Sequence, residues 1–167
     1  SINVSALQLR GDGLRLSLGA NLNRLALPSS LIAIELTESS ILDEDGEAFE
    51  ELRRLSEMGV ELQIDDFGTG YSSLNYIHNY PIDSIKIDAT FVQNMLSNTT
   101  SEQVVFLIAQ LAELLDVDLI AEGVEDDRAL QKLIEMGCHY IQGYFYSRPH
   151  SVDEIVHLIN EREVRSA

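Results

Sequence analysis

The chain has 167 residues, long enough for one domain with a hydrophobic core and short for two. Apolar residues make up 45%, with only three prolines and ten aperiodic glycines, which excludes disordered, mucin-like and collagen-like classes. Eleven Lys and Arg against 28 Asp and Glu give a formal charge of −17, so DNA and RNA polymers and anionic membrane surfaces are poor partners, although a local anion site is still allowed.

The first residues, Ser1 to Val4, read as the tail of a strand and carry neither a basic signal head nor an initiator methionine. A helix is expected from Leu14 to Leu25, stopped by Pro28, and then a strand from Ile32 to Leu36. Glu44 to Met58 places Phe49, Leu52, Leu55 and Met58 at helical spacing, with Gly59 as its C-cap, ahead of a strand from Val60 to Ile64. Further strands follow at Ser84 to Ile87, Asp118 to Ala121 and Tyr140 to Gln142. Helices are expected at Ser101 to Leu115, at Asp127 to Met136 with Gly137 ending it, and at Ser151 to Ile159; the Glu161 to Glu163 tail reads as a frayed end. This βαβα rhythm, with strand starts about 22 to 35 residues apart, argues for an α/β fold of parallel strands covered by helices. No apolar run approaches the roughly 20 residues of a membrane helix. The single cysteine, Cys138, makes no internal disulfide, which suits the cytoplasm.

Polar groups collect at the C-terminal ends of the expected strands: Asn3, Glu35 with Glu38, Asp65 with Asp66, Lys86 with Asp88, Glu122 with Glu125, and Gln142. In a barrel these ends share one rim. Adjacent carboxylates such as Asp65 and Asp66 repel unless a cation or hydrogen bonds compensate, and hard divalent ions favour such oxygens; a lone Asp-Asp pair is more commonly a loop cap. Two ions, typically about 3.5 to 4 Å apart, would stabilise the attacking and leaving oxygens of a phosphodiester. Glu35 sits in an apolar run, where its charge requires a metal or a basic partner. Glu38 also reads as a helix-start cap, and Glu122 and Glu125 either face the rim or cap the next helix. Lys86 is suited to orienting water, stabilising phosphate charge or holding the neighbouring acids. Tyr144, Phe145 and Tyr146 follow Gln142 and suit core or rim packing better than base recognition. Gly68, Gly70 and Gly143 permit tight loop paths, and neither a GxGxxG fingerprint nor a Walker loop is present. His78, His139, His150 and His157 lack compact metal spacing, and the adjacent Cys138 and His139 make a poor catalytic pair.

Taken in order, Asn3-Val4-Ser5-Ala6, Glu35-Leu36-Thr37-Glu38-Ser39, the run from Asp65-Asp66-Phe67-Gly68-Thr69-Gly70 to Tyr71-Ser72-Ser73-Leu74, Lys86-Ile87-Asp88, Ala121-Glu122-Gly123-Val124-Glu125 and Gln142-Gly143-Tyr144 resemble the motifs of EAL-domain cyclic di-GMP phosphodiesterases. The resemblance implies a TIM-like (β/α)8 barrel, with about six of its eight strands in this chain, that hydrolyses cyclic di-GMP to linear pGpG with two Mg²⁺ or Mn²⁺ ions. It implies Asn3, Glu35, Asp65 and Asp66 as metal ligands, Asp65 bridging, and Lys86 as the catalytic residue beside the nucleophilic water. Glu122 would support the second metal, Glu125 would orient Lys86, and Gln142 would join the hydration shell. Glu38 and the loop containing Phe67, Gly68, Thr69 and Gly70 would couple the metal centre to homodimerisation. The family's Glu-Ala-Leu tripeptide does not occur in the chain. In the family pattern it lies on the second strand and carries a further glutamate ligand, so residues 1–167 are expected to form a partial barrel lacking the first two strands. Against the roughly 250 residues of a TIM barrel, the chain is short by a similar amount. The expected parent is a cytoplasmic phosphodiesterase or the cytoplasmic portion of a larger signalling protein; a cyclic di-GMP receptor without turnover and a truncated dimerisation or regulatory module are the alternatives.

Overall fold

In a computed structural model that describes residues 1–41, 46–70 and 79–157, six strands lie side by side in chain order. They are β1 (Ile2–Asn3), β2 (Ala33–Thr37), β3 (Glu61–Phe67), β4 (Ser84–Ile87), β5 (Asp118–Glu122) and β6 (Tyr140–Gln142). Each neighbouring pair is parallel, and β1 and β6 form the sheet edges. The helices are α1 (Gly13–Leu25), α2 (Glu38–Ile41), α3 (Glu47–Glu57), α4 (Ala89–Asn94), α5 (Thr99–Leu115), α6 (Asp127–Glu135) and α7 (152–157). This is the parallel β/α arrangement of a TIM-type barrel.

Alternation along each strand divides the sheet into two chemically different faces. Ile34, Leu36, Leu62, Ile64, Ile85, Ile87 and Ala121 are buried on the outer face, in a core completed by Leu52, Leu55, Val105, Ile108 and Leu133 from the helices. Burying each large aliphatic side chain contributes about 1.5 to 3 kcal/mol. The inner face carries Glu35, Gln63, Asp65, Ser84, Lys86 and Glu122 instead. Gln63 Nε2 donates to Glu61 Oε1 at 2.7 Å, beginning a polar layer below the rim.

The expected strands and the helices α1, α3, α5 and α6 are present, with shifted ends. Gly59 and Gly137 follow α3 and α6 in left-handed conformations. α5 begins at Thr99 rather than Ser101, because the Asn98 side chain accepts from the amides of Thr100 and Ser101 at 2.9 and 3.3 Å. β3 runs on to Phe67, so Asp65 and Asp66 lie within the strand rather than after it. α4 is an addition: six residues are too few to show a period, and Asp88 caps them by accepting from Thr90 N at 3.0 Å. The expected helix start at Glu44, the motif residues Tyr71 to Leu74, His78, the helix end at Ile159 and the Glu161 to Glu163 tail lie outside the described residues. No helix among the described residues is long and apolar enough to cross a membrane.

Candidate functional site

Four consecutive strands each deliver one charged side chain to a single point. Lys86 Nζ from β4 lies 2.9 Å from Glu35 Oε1 of β2, 2.8 Å from Asp65 Oδ1 of β3 and 2.6 Å from Glu122 Oε1 of β5. The lysine side chain is 3% exposed, so three carboxylates neutralise a cation that water scarcely reaches. Burial works against its charge, but the bonds to Asp65, Glu122 and Glu35 prevail and hold its pKa well above the ordinary lysine range. Burial likewise opposes ionisation of Glu35, yet hydrogen bonds from Lys86 and Ser1 lower its pKa. Glu122 goes the other way: burial and the nearby charges of Asp65 and Glu35 raise its pKa despite Lys86.

Beside this cluster, one carboxylate oxygen each from Asp65, Asp66 and Glu122 lie within 4.8 Å of one another. These are hard oxygen donors of the kind Mg²⁺ and Mn²⁺ prefer, so the residues fit such an ion. Partial burial, the charges of Asp65 and Asp88, and a hydrogen bond with Asp88 raise the pKa of Asp66, outweighing the opposite pull of Lys86. Glu35 joins the group through Lys86. Asn3 stands opposite Glu35 in the β1–β2 register, at an exposed edge, and Gln142 stands opposite Glu122 in the β5–β6 register.

The other sequence candidates fall around this rim. Glu125 is exposed and borders a cleft of about 460 Å³, while the ion pairs of Lys86 among the described residues are with Glu35, Asp65 and Glu122. Phe67 is not a loop residue: it ends β3 with its ring buried in the core. Thr69 turns back on the strand, its hydroxyl donating to Asp66 O at 2.9 Å. A side chain at Gly70 would meet the Glu38 carboxylate at 3.4 Å, so the start of α2 touches the turn after β3.

Sequence reasoning passed over one role and one residue. Asp88, which the sequence places at the rim beside Lys86, also caps α4 and acts electrostatically on Asp66; its Asp-Ala-Thr context is a cap signal for the first role. Arg148 lies 4.5 Å over the Tyr144 ring and, with Gln142, Tyr144 and Pro149, lines the cleft beside Glu122. Nothing in local spacing marks that pairing, which depends on the path of the chain after β6.

The EAL domain family matches residues 1–149. The chain belongs to the EAL-domain family. It is 40% identical over 149 residues to the cyclic di-GMP phosphodiesterase RocR of Pseudomonas aeruginosa, an alignment covering 89% of this chain and 38% of RocR. The EAL domain of Mycobacterium smegmatis DcpA superposes with a TM-score of 0.89 at 37% identity, over 96% of this chain and 71% of that one. The manganese and cyclic-di-GMP complex of Klebsiella pneumoniae BlrP1 matches with a TM-score of 0.80 at 30% identity, over 89% of this chain and 38% of that one. The chain spans about a fifth to two fifths of the length of the curated relatives it matches. In this EAL domain Lys86, Glu35, Asp65, Asp66 and Glu122 converge from β2 to β5.

Proposed function

We propose that this chain is the larger part of a cytoplasmic EAL-type phosphodiesterase domain that hydrolyses cyclic di-GMP to linear pGpG. The carrying observation is the meeting of Glu35, Asp65, Lys86 and Glu122 from four strands beside the oxygen cluster of Asp65, Asp66 and Glu122. Asp65, Asp66 and Glu122 would hold Mg²⁺ or Mn²⁺, with Glu35 and Asn3 as further ligands and two ions in the complete domain. Bound ions would polarise the phosphodiester and make water a nucleophile near neutral pH.

The protein's own groups account for the rest. Lys86, held protonated by its carboxylates, is a donor rather than a base, suited to stabilising anionic oxygen and orienting the attacking water. Gln142 offers an amide to that water, and Glu125 contributes from the cleft wall. The cleft falls in the ordinary range of small-ligand sites, and Tyr144 with Arg148 over its ring would offer a flat cationic surface to a guanine. We assign residues 1–167 to a partial barrel whose remaining two strands and one further glutamate ligand lie upstream; the open edges at β1 and β6 support that assignment. The proposed coupling of the site to a homodimer would run through Glu38, which lies beside the turn at Gly70.

The test is chromatographic detection of pGpG from cyclic di-GMP by the full-length protein with Mn²⁺. Asp65→Asn should reduce turnover at least about 100-fold and weaken Mn²⁺ binding with it. Unchanged turnover would remove Asp65 from the centre of the scheme, and tight nucleotide binding without pGpG would replace the enzyme by a receptor.

A further inference from the structure

Neighbouring residues on a strand point to opposite faces, yet Asp65 and Asp66 both bring an oxygen to the same cluster as Glu122. The β3–β4 register explains how. Ile64 pairs with Ile85 and Phe67 with Ile87, so β3 advances three residues while β4 advances two. Asp65 and Asp66 together stand against Lys86 in a β-bulge, and the side-chain alternation changes phase across it. Asp66 has φ +54°, a left-handed conformation that disfavours most side chains and that Asp tolerates better than most. The phase change returns Phe67 to the outer face, where it is 3% exposed. Gly68 then passes so close to α4 and α5 that a Cβ there would lie 3.2 Å from Phe91 and Ile108.

We infer that position 66 is a positioning residue through its backbone as well as a ligand through its side chain: the left-handed bulge turns Asp65 and Asp66 onto one face and fixes the Asp65 carboxylate against Lys86 and Glu122. This rests on the metal-binding reading for its ligand arm and stands apart from it for its backbone arm. Replacing Asp66 by residues that all lack the carboxylate but differ in tolerance for the left-handed region separates the two.

The experiment uses the full-length protein carrying Asp66→Gly or Asp66→Val, with thermal midpoints taken in EDTA and Mn²⁺ binding read from the free-ion electron paramagnetic resonance signal. Gly keeps the bulge and Val opposes it. The Gly variant is expected to melt at least about 2–4 °C above the Val variant. Its residual Mn²⁺ affinity, carried by Asp65 and Glu122, should be about tenfold tighter. Where the Val variant gives no cooperative transition, Asp66→Ala replaces it, with the same order and smaller differences. Equal Mn²⁺ affinities in the two variants overturn the inference whatever the midpoints do. If the wild type takes up no Mn²⁺, the metal reading fails, and the midpoint order alone decides the bulge: Gly above Val supports it and equality overturns it.

Discussion

Lys86→Met keeps most of the buried side-chain volume and removes the charge on which three carboxylates depend. At 2.8 Å, the Lys86–Asp65 contact is worth ~6 kcal/mol of gross Coulomb attraction with an effective dielectric of 20, before the cost of desolvation. Asp65 and Glu122 oxygens within 4.8 Å of each other repel by at least ~3.5 kcal/mol on the same basis when both are ionised. Removing one partner of a buried pair costs about 3–5 kcal/mol once relaxation and proton uptake are included. At about 2–4 °C per kcal/mol for a domain of this size, the midpoint should fall by roughly 6–20 °C. Differential scanning calorimetry in EDTA measures this directly. On the proposed function Mn²⁺ would supply the missing positive charge, so its addition should raise the variant's midpoint by more than the wild type's. A fall of less than about 2 °C in EDTA, or an equal gain from Mn²⁺ in both proteins, would refute the picture of a lysine holding three acids in place.

Three further outcomes follow from local geometry. In Gly143→Ala the new Cβ would lie 2.2 Å from Val124 O, forcing apart the segments after β5 and β6. Chemical denaturation should show a loss of about 2–4 kcal/mol as overpacking breaks the bonds from Val124 N to Gln142 O and from Phe145 N to Val124 O. Asn98→Ala removes the α5 cap and should cost about 1 kcal/mol by the same measurement. The Cys138 thiol, buried and donating to Leu119 O and Tyr140 O, is pushed up from 9.0 to about 11. Folded protein at pH 8 should therefore alkylate with iodoacetamide at least about 100-fold more slowly than urea-unfolded protein. Because the folded pKa is the higher one, this thiol's stabilising contribution is complete below pH 9 and lost as pH rises toward about 11.

The strand–helix rhythm was legible because each strand pairs an aliphatic outer face with a rim residue, as in Ile34-Glu35-Leu36 or Ile85-Lys86-Ile87. The carboxylates at strand ends were legible for the same reason: a charge inside an apolar run requires a partner. What the sequence could not show was the identity of the partners. Lys86 could be assigned to water, phosphate or acids, and only the spatial order of β2 to β5 brings it against Glu35, Asp65 and Glu122 together. The bulge was hidden because local composition does not report register, so Asp65-Asp66 read as residues following a strand that in fact continues to Phe67. Arg148 over Tyr144 was hidden because two residues of that spacing meet only if the backbone after β6 folds back.

The two-faced sheet has a consequence for how this domain can vary. At Ile34, Leu36, Leu62, Ile64, Ile85 and Ile87 another apolar side chain of similar volume satisfies the same requirement, so exchanges among Leu, Ile and Met should cost little there. At Glu35, Asp65, Lys86 and Glu122 the requirement is a particular atom at a particular point, and no volume-matched exchange supplies it. A saturation mutagenesis profile along β2 to β5 should therefore oscillate with a period of two between sites that accept only aliphatic residues and sites that accept no replacement. Along β3 the beat should skip once: Asp65 and Asp66 should be intolerant in succession, and Phe67 should rejoin the sites where only size and greasiness count.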